Sequence, residues 1–408
     1  MLPGTGVEEA LSSILGMVTE LPPLSVDLLS ATGLVLAQSV VSGECHPSHD
    51  TSAMDGYAVR CSCLSGASAD SPVTLQLIGE VAAGAPIDQE VEHGCAIRIS
   101  TGGVVPRGGD AVVMREVVEL TTPTTVRFSA PAALGDNIRR AGEHLSQGEQ
   151  VLSPGTILGP PEIGMSAFLG FQELHCIPRP RVAVLATGSE LVEGGRPLAR
   201  GEVRDSNSFA LVSALQTLGC QVVMKERVAD SPEVLDRALT RAFSEADVVL
   251  TSGGISAGWH DLVRAGIEKR GGVFAFHKLR MRPGKPLGFG RADGSLFFCL
   301  PGNPVSSMVT FEVFVKPALL KMMGRPTRVE EHKAILQTPI KKRKGFAIYF
   351  RGITERSEDG GLSVRLTGPQ GSHVLRSLTL ADVLVKTNEE DEFLPAGSWV
   401  TVVPYNRV

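Results

Sequence analysis

The most constraining feature of the chain is a central stretch in which short apolar runs alternate with helical patterns. RVAVLAT at 181–187, DVVLTS at 247–252 and SLFFCL at 295–300 have the continuous apolar character of buried strands. Apolar residues at helical spacing separate them and predict helices over 209–218, 232–246 and 305–323, with one more strand at 220–224. Strands that alternate with helices are joined by right-handed crossovers, so the sequence predicts a parallel α/β sheet here.

The regions on either side have different patterns. Residues 7–18 and 25–41 carry apolar side chains at helical spacing, which predicts two helices at the start of the chain. From residue 42 to about 142, short valine-rich runs divided by Gly and Pro predict a β domain, and residues 150–178 predict a connecting helical element. After Gly324, regularly spaced β runs predict a small barrel or sandwich. A chain of 408 residues is long enough for several such cores.

The charge of the chain limits which partners it can bind, and its cysteine content indicates the cellular compartment. The 44 acidic residues outnumber the 39 basic ones, which disfavours nucleic acid as a partner because phosphate backbones need a basic surface. Seven scattered cysteines form no disulfide framework, so we expect a reducing cytoplasm. No stretch reaches the roughly 18 apolar residues that a membrane helix requires, so we expect no membrane partner.

Three loops that follow predicted strands are rich in glycine and polar residues. They are TGSEL at 187–191, TSGGIS at 251–256 and PGNP at 301–304. In a parallel sheet such loops meet at the carboxyl edge, and glycines followed by a helix N-terminus can hold an anion. One loop of this kind is weak support for a site, but three from one sheet are considerably stronger.

Acidic residues also follow these strands, at Glu190, Asp205, Asp230 and Asp261. Asp205 or Asp230 could cap the helix that follows it. Acids beside an anion site can instead accept hydrogen bonds from a heterocycle or hold a divalent cation against phosphate oxygens. The sequence leaves these roles open.

The segment KLRMRPGK at 278–285 supplies four positive charges without an intervening acid. A lone run of this kind is usually a solvated strand. Its position before the strand that ends in PGNP favours a phosphorylated or oxyanionic substrate. In the β domain, TSAMDGYAV at 51–59 is equally unusual, although Asp55 and Gly56 could form an ordinary turn.

Seven short motifs follow one another along the chain: SAMDGYAV, IRRAGE, VLATGSEL, DSN at 205–207, TSGGIS, RPGKP and LPGNP. In this order they closely resemble the MoeA family of molybdenum insertases (molybdopterin molybdenumtransferases), which includes the E domain of gephyrin. The resemblance extends from about Leu21 to Pro404.

The resemblance implies four domains. They are an elongated helical domain from 1–41 and 145–177, an inserted β domain at 42–144, an α/β molybdopterin-binding domain at 178–326 and a C-terminal β-barrel at 327–408. It also implies a homodimer whose sites lie between the α/β domain of one subunit and the β domain of its partner. The implied reaction inserts molybdenum from molybdate into adenylylated molybdopterin with release of AMP, assisted by Mg²⁺. A molybdopterin adenylyltransferase is the implied upstream partner.

Motif positions carry the family's functional residues onto this chain. The implied catalytic residues are Asp55, Thr101, Glu190, Asp230 and Asp261, and Asp55 and Asp261 are also the implied metal ligands. The implied substrate-binding residues are Arg139, Thr187, Gly188, Ser189, Asp205, Asn207, Ser252, Gly253, Gly254, Lys278, Arg282, Lys285, Pro301 and Pro304. Many family members have Lys where Arg282 stands; the positive charge is the same, but a guanidinium contacts an oxyanion differently from an ammonium group.

Two other functions compete with this interpretation. The α/β domain also resembles the molybdopterin adenylyltransferases, but those are single small domains, and the additional β domains here argue against that activity. Gephyrin uses the same architecture as a scaffold, which we disfavour because no fused N-terminal domain or long linker is visible.

Overall fold

The computed structural model describes residues 4–254, 262–328, 330–356, 358 and 360–405. The first elements are α1 (Val7–Met17), β1 (Leu24–Asp27), β2 (Val35–Leu36) and β3 (Val40–Val41). Next come β4 (Thr51–Ser52), β5 (Gly56–Val59), β6 (Val73–Val81), β7 (Cys95–Ile99), β8 (Ala111–Met114), β9 (Val118–Thr122), β10 (Thr125–Phe128), β11 (Ile138–Arg139) and β12 (Gln150–Leu152).

The central region contains α2 (Pro160–Phe168), β13 (Glu173–Ile177), β14 (Arg181–Thr187), β15 (Leu191–Val192), β16 (Val203–Arg204), α3 (Asn207–Leu218), β17 (Gln221–Val228), α4 (Pro232–Glu245) and β18 (Val248–Ser252). It continues with α5 (Leu262–Lys269), β19 (Val273–Phe276), β20 (Met281–Arg282), β21 (Gly288–Ala292), β22 (Ser295–Leu300), α6 (Pro304–Thr310), a π-helical turn (Phe311–Val315) and α7 (Lys316–Met322). The last elements are β23 (His332–Leu336), β24 (Ile340–Lys341), β25 (Ala347–Arg356), β26 (Leu362–Leu366), α8 (Arg376–Leu380), β27 (Val383–Thr387), β28 (Phe393–Leu394) and β29 (Trp399–Pro404).

The chain forms two compact units. Unit 1 comprises Met1–Ala37, Gly155–Ile163 and Glu173–Val408, and unit 2 comprises Gln38–Pro154 and Gly164–Gln172. The finer division into four domains stays a prediction.

The main sheet of unit 1 has the strand order β17-β14-β18-β22-β21-β19, and its first four strands are parallel. Alternate residues of each strand face opposite sides, so Val184 packs with Leu211 and Leu215 of α3, whereas Leu185 packs with Leu239 of α4 and Ile267 of α5. The predicted parallel α/β sheet is therefore confirmed for these four strands, and helices cover both faces of the sheet.

The C-terminal strands of unit 1 close into a barrel. The order is β25-β26-β23-β29-β27, and β27 pairs back with β25 to complete five strands. Ala334, Leu336, Val364, Val385 and Val402 fill its interior. Strand β20 extends this sheet through a parallel pairing of Met281 with Ala347. Of the two predicted alternatives, barrel and sandwich, the barrel is correct.

Unit 2 is built on a six-stranded sheet of order β8-β5-β7-β6-β10-β9. Tyr57, Val59, Leu75 and Phe128 lie in its core. The predicted β domain is thus confirmed, and the motif TSAMDGYAV includes β5, an interior strand that pairs with β8 and β7.

The prediction of a second helix over 25–41 is wrong. Instead, β1 and β2 pair antiparallel with β13, for example Leu24 with Cys176, and β3 pairs with β12. A turn in which the Ser30 amide donates to Asp27 Oδ1 at 3.1 Å separates β1 from β2. The apolar spacing fits a helix, but pairing with a distant strand outweighs this local preference. The residues of the expected helical domain therefore include two helices, α1 and α2, together with the small sheet of β1, β13 and β2.

None of the helices in the described part of the chain combines the length and apolar character needed to cross a membrane. All seven cysteines have free thiols, and Cys176, Cys220 and Cys299 are buried.

Candidate active site

The loops after β14, β18 and β22 open onto one cleft of about 880 Å³. In the parallel register Ala186 pairs with Ser252 and Ser252 with Leu300, so the three strands end at the same edge of the sheet. Predicted substrate-binding or catalytic residues that line the cleft are Thr187, Gly188, Glu190, Asp205, Asn207, Asp230, Ser252, Gly253, Gly254, Pro301 and Pro304. The structure therefore brings together most of the residues predicted in the α/β region.

Two glycines after β18 let the cleft walls approach closely. Gly253 has φ +95°, and a Cβ on it would lie 2.5 Å from the carbonyl oxygen of Thr187. Gly254 has φ +67°, and a Cβ there would lie 2.6 Å from Val263 Cγ2. No other residue fits both the backbone conformation and the space. The loop thus presents peptide groups without side chains, a surface suited to an anion.

Asn207, the first residue of α3, ties the loops together. Its Nδ2 donates to Ser252 Oγ and to the carbonyl oxygen of Gly302, both at 2.8 Å. One amide group therefore connects the loops after β18 and β22 to the start of α3. The sequence identified Asn207 as a binding residue but gave no sign of this clamp.

The cleft acids have different environments. Asp205 is buried one residue before Ser206, the N-cap of α3, and it accepts hydrogen bonds from the Ser208 amide at 3.0 Å and from Ser208 Oγ, so its carboxylate holds the first turn of this helix. Asp230 Oδ2 accepts from the Ser189 amide, and the Asp230 amide donates to Ser189 Oγ, both at 3.0 Å. The Glu190 carboxylate has no hydrogen-bond partner among the described residues. Glu190 is therefore the acid best placed to meet a ligand.

The four cations of the basic segment 278–285 differ in their contacts: one is paired with an acid, and three have no acidic partner among the described residues. Arg280 turns inward, where its Nε donates to Glu389 Oε2 at 2.8 Å. Lys278, Arg282 and Lys285 are exposed, and none of them has an acidic partner among the described residues. These three do not line the cleft, but Pro286, directly after Lys285, does.

Charge in the cleft itself is predominantly negative. Its described lining holds three carboxylates, those of Glu190, Asp205 and Asp230, against the single guanidinium of Arg204. A polyanionic ligand therefore needs additional positive charge, which the exposed cations of segment 278–285 or a divalent cation can supply.

In unit 2 the predicted residues Asp55 and Thr101 are in direct contact. Asp55 Oδ1 accepts from both the amide and Oγ1 of Thr101 at 2.8 Å. These two hydrogen bonds, with a smaller contribution from the charge of Arg115, lower the pKa of Asp55 below its ordinary value of 3.8. The side chain is about half exposed, so an ionised carboxylate faces solvent.

Arg139 lies apart from this pair, in the two-stranded ladder of β11 with β4. It lines a separate pocket of unit 2. Asp261, predicted to be catalytic and a metal ligand, lies outside the described residues. Within the described ranges, no group of three or more His, Cys, Asp and Glu side chains is arranged to hold a metal ion.

Sequence reasoning missed two residues of the C-terminal region. His373 lines the cleft although it follows the barrel strand β26 in sequence, and no local motif marked it. Arg351 is fully buried, where its Nε donates to Ser377 Oγ at 3.0 Å. Burial lowers the pKa of Arg351 to about 10. No local motif marks either position: His373 lines the cleft, and Arg351 is held by contacts within the C-terminal region itself.

Comparison with known proteins gives matches over most of the chain. Residues 5–170 match the MoeA N-terminal region (domains I and II), 183–321 a probable molybdopterin-binding domain, and 333–405 the MoeA C-terminal region (domain IV). A molybdopterin molybdenumtransferase of Haemophilus influenzae is 37% identical over 94% of each chain. Molybdopterin molybdenumtransferase 2 of Mycobacterium tuberculosis is 37% identical over 97% of this chain and 98% of its own.

A solved structure supports the same relationship. The molybdopterin biosynthesis MoeA protein from Pyrococcus horikoshii superposes with a TM-score of 0.84 and 28% identity, covering 100% of both chains. Its fold and the full-length sequence matches agree with the order of motifs. The chain therefore belongs to the MoeA family of molybdopterin molybdenumtransferases.

Proposed function

We propose that this chain, an enzyme of molybdenum cofactor biosynthesis, inserts molybdenum from molybdate into adenylylated molybdopterin and releases AMP. The observation that carries the proposal is the cleft of about 880 Å³ in which three strand-end loops meet. Its glycine turn at 253–254 and the Asn207 clamp form a preorganised surface for a phosphorylated heterocycle. Relatives over nearly the full length are named molybdopterin molybdenumtransferases.

The reaction requires groups of like charge to approach one another. Molybdate is a dianion, and the acceptor carries phosphate and two sulfurs that react as thiolates. Two unit charges about 4 Å apart repel by roughly 4 kcal/mol at an effective dielectric near 20. Lys278, Arg282 and Lys285 are exposed and have no acidic partners among the described residues, so they are available to offset this repulsion. Positioning and electrostatic stabilisation therefore account for the chemistry without a covalent intermediate.

Cleavage of the adenylate bond requires a nucleophile and a leaving group. In the proposed reaction water attacks the adenylyl phosphorus, the phosphoanhydride P–O bond breaks, molybdopterin leaves with its phosphate, AMP carries the water oxygen, and the proton passes to solvent. Asp55 is suited to hold this water in position. Its lowered pKa keeps the carboxylate ionised, and the two hydrogen bonds from Thr101 fix the position of Oδ1. Its Oδ2 accepts no hydrogen bond from the described residues and lies 3.9 Å from Arg115 Nη1.

The proposed divalent cation is Mg²⁺. Magnesium usually binds one or two protein carboxylates and takes its other ligands from water and substrate phosphates. The half-exposed Asp55 carboxylate fits this pattern, so the lack of a larger cluster among the described side chains is compatible with it. When bound, the ion would neutralise phosphate charge. The second proposed ligand, Asp261, lies outside the described residues.

The proposed functional state is a cytoplasmic homodimer supplied by a molybdopterin adenylyltransferase. In it, the cleft of one subunit meets Asp55 of the other. Mixing Asp55→Ala protein with Lys285→Ala protein tests this arrangement. At a molybdate concentration at which each variant alone is inactive, shared sites predict recovery of about a quarter of wild-type activity, because half of the dimers are mixed and each has one intact site. Failure to recover activity from dimers shown to have exchanged subunits would place each site within one subunit.

The activity is tested with purified protein, adenylylated molybdopterin and molybdate, by measuring AMP release and active cofactor. We expect Asp55→Ala to fold and dimerise normally but to lose metal insertion. Asp88→Ala, which removes another exposed acid of unit 2, serves as the matched control and should retain activity. Unchanged insertion by Asp55→Ala would remove Asp55 from the site. Formation of adenylylated molybdopterin from ATP would instead identify an adenylyltransferase, and binding without turnover would favour a scaffold.

A further inference from the structure

A second pocket, of about 630 Å³, lies within unit 2. Its walls come from the loop at 46–51, from Arg139 and the turn that follows it, and from Phe168 at the end of α2. Apart from Arg139, the residues discussed below have no part in the function proposed above.

One wall of this pocket is a group of three rings, His46, His144 and Phe168, which we call the ring cluster. The Phe168 ring centroid lies 4.5 Å from that of His46, with an interplanar angle of 44°, and 6.1 Å from that of His144. Phe168 nevertheless remains 54% exposed. An open aromatic face beside two imidazoles is a platform on which a planar heterocycle can stack.

The polar groups of the pocket favour an anion. Arg139 is exposed, and its guanidinium has no hydrogen-bond or ion-pair partner among the described residues. The neighbouring Arg140, in contrast, contacts Asp50 Oδ2 at 2.6 Å. The one acid of the pocket, Glu143, uses Oε2 to accept the Arg140 amide at 2.8 Å.

His46 adds an unsatisfied polar atom. Its buried Nε2 has no hydrogen-bond partner among the described residues. That nitrogen is enclosed by the protein, so it makes no direct contact with a ligand in the pocket. The pocket therefore combines a stacking surface with a guanidinium that has no partner among the described residues.

We propose that this pocket binds a planar nitrogen heterocycle that carries a phosphate. The ring stacks on the ring cluster, and the phosphate oxygens accept hydrogen bonds from the Arg139 guanidinium. Two sources have this chemistry, a purine mononucleotide and a pterin phosphate. We choose these two ligands because of the proposed function. That the pocket binds a phosphorylated heterocycle is inferred from its own residues.

The test is a titration of the full chain, labelled with ¹³C at histidine Cε1, and followed by NMR. The His46 and His144 signals are assigned from their loss in His46→Gln and His144→Gln. AMP and neopterin monophosphate are the two probes, and adenosine and inorganic phosphate supply the ring and the anion alone. We expect both signals to shift saturably with at least one probe, at concentrations where adenosine and phosphate have little effect. The tighter probe identifies the source.

Variants separate the two parts of the recognition. Arg139→Ala should weaken probe binding about tenfold or more, and Arg139→Lys should have an intermediate effect because the charge remains but the fork is lost. Phe168→Leu, which keeps apolar volume but removes the ring, should weaken binding about fivefold or more. Arg107→Ala removes another exposed arginine of unit 2 outside the pocket and should change nothing.

Three results would overturn the proposal. The first is inorganic phosphate shifting both signals as strongly as the probes, which would leave only an anion site. The second is binding of both probes without movement of either signal, and the third is unchanged affinity in Arg139→Ala. AMP release with no ligand in this pocket would refute this inference alone, whereas probe binding without AMP release would refute the proposed function alone.

Discussion

Replacing Gly253 with alanine tests whether close backbone approach builds the cleft. A Cβ at this position would lie 2.5 Å from the carbonyl oxygen of Thr187, and ordinary contact begins near 3.4 Å. One of the two loops must therefore move by about 0.9 Å. The positive φ adds strain of about 1–2 kcal/mol, and the steric conflict adds about 1–3 kcal/mol.

Gly195 provides a matched control. It has φ +96°, almost identical to the +95° of Gly253, but a Cβ there would meet nothing within 4 Å. Gly195→Ala should therefore cost only the backbone strain of about 1–2 kcal/mol. It lies outside the lining of the cleft, so kcat/KM should remain within about twofold of wild type.

The assay is kcat/KM for AMP release, with thermal unfolding measured in parallel. A misplacement near 1 Å can lower catalytic efficiency by about 100-fold, so we expect a loss of this order in Gly253→Ala. If the two variants have equal kcat/KM while both remain folded, close packing of the loops after β14 and β18 is not needed for activity, and the reasoning is refuted.

Three further predictions concern individual contacts. Thr101→Val should raise the pKa of Asp55 toward its ordinary value, as measured by carboxyl ¹³C NMR, because the hydrogen bond from Thr101 Oγ1 is lost. The stability that this contact contributes is present above the unfolded-state pKa of Asp55 and is lost as the pH falls through the lowered folded-state pKa. An unchanged pKa in the variant would show that Thr101 Oγ1 does not lower it. Lys285→Ala should weaken molybdate binding more at low than at high salt, and a salt-independent loss would point to packing. Asp205→Ala should lower the free energy of unfolding by about 0.5–2 kcal/mol in urea denaturation, because the Ser208 amide in the first turn of α3 loses its acceptor, and no loss would exclude this stabilising role.

Periodicity predicted the parts of the fold that are specified locally. Strands β14, β18 and β22 are continuous apolar runs buried on both faces, and this pattern has few alternatives. The prediction of a helix over 25–41 failed because the apolar spacing there fits a helix, whereas pairing with β13, about 150 residues later, decides the conformation of this stretch. Local sequence does not encode such a partner.

In the candidate site, too, the features set by local sequence were predicted, and those set by distant contacts were not. Glycine-rich loops after buried strands were visible in sequence because the edge of a parallel sheet collects them. The inward turn of Arg280 was not, because its partner Glu389 is 109 residues away. His373 reaches the cleft only because the chain folds back after the barrel strand β26. Asp205 was compatible with capping or binding, and its contacts with Ser208 show that it holds the first turn of α3, one residue before the N-cap.

The most direct test of the cleft as the substrate site is a crystal structure of the chain with adenylylated molybdopterin and molybdate. We expect phosphate oxygens within hydrogen-bonding distance of the loops at 187–190, 252–254 and 301–304, with the oxyanion beside Lys285. Ligand bound away from these loops, or a cleft filled by the protein's own side chains, would contradict it.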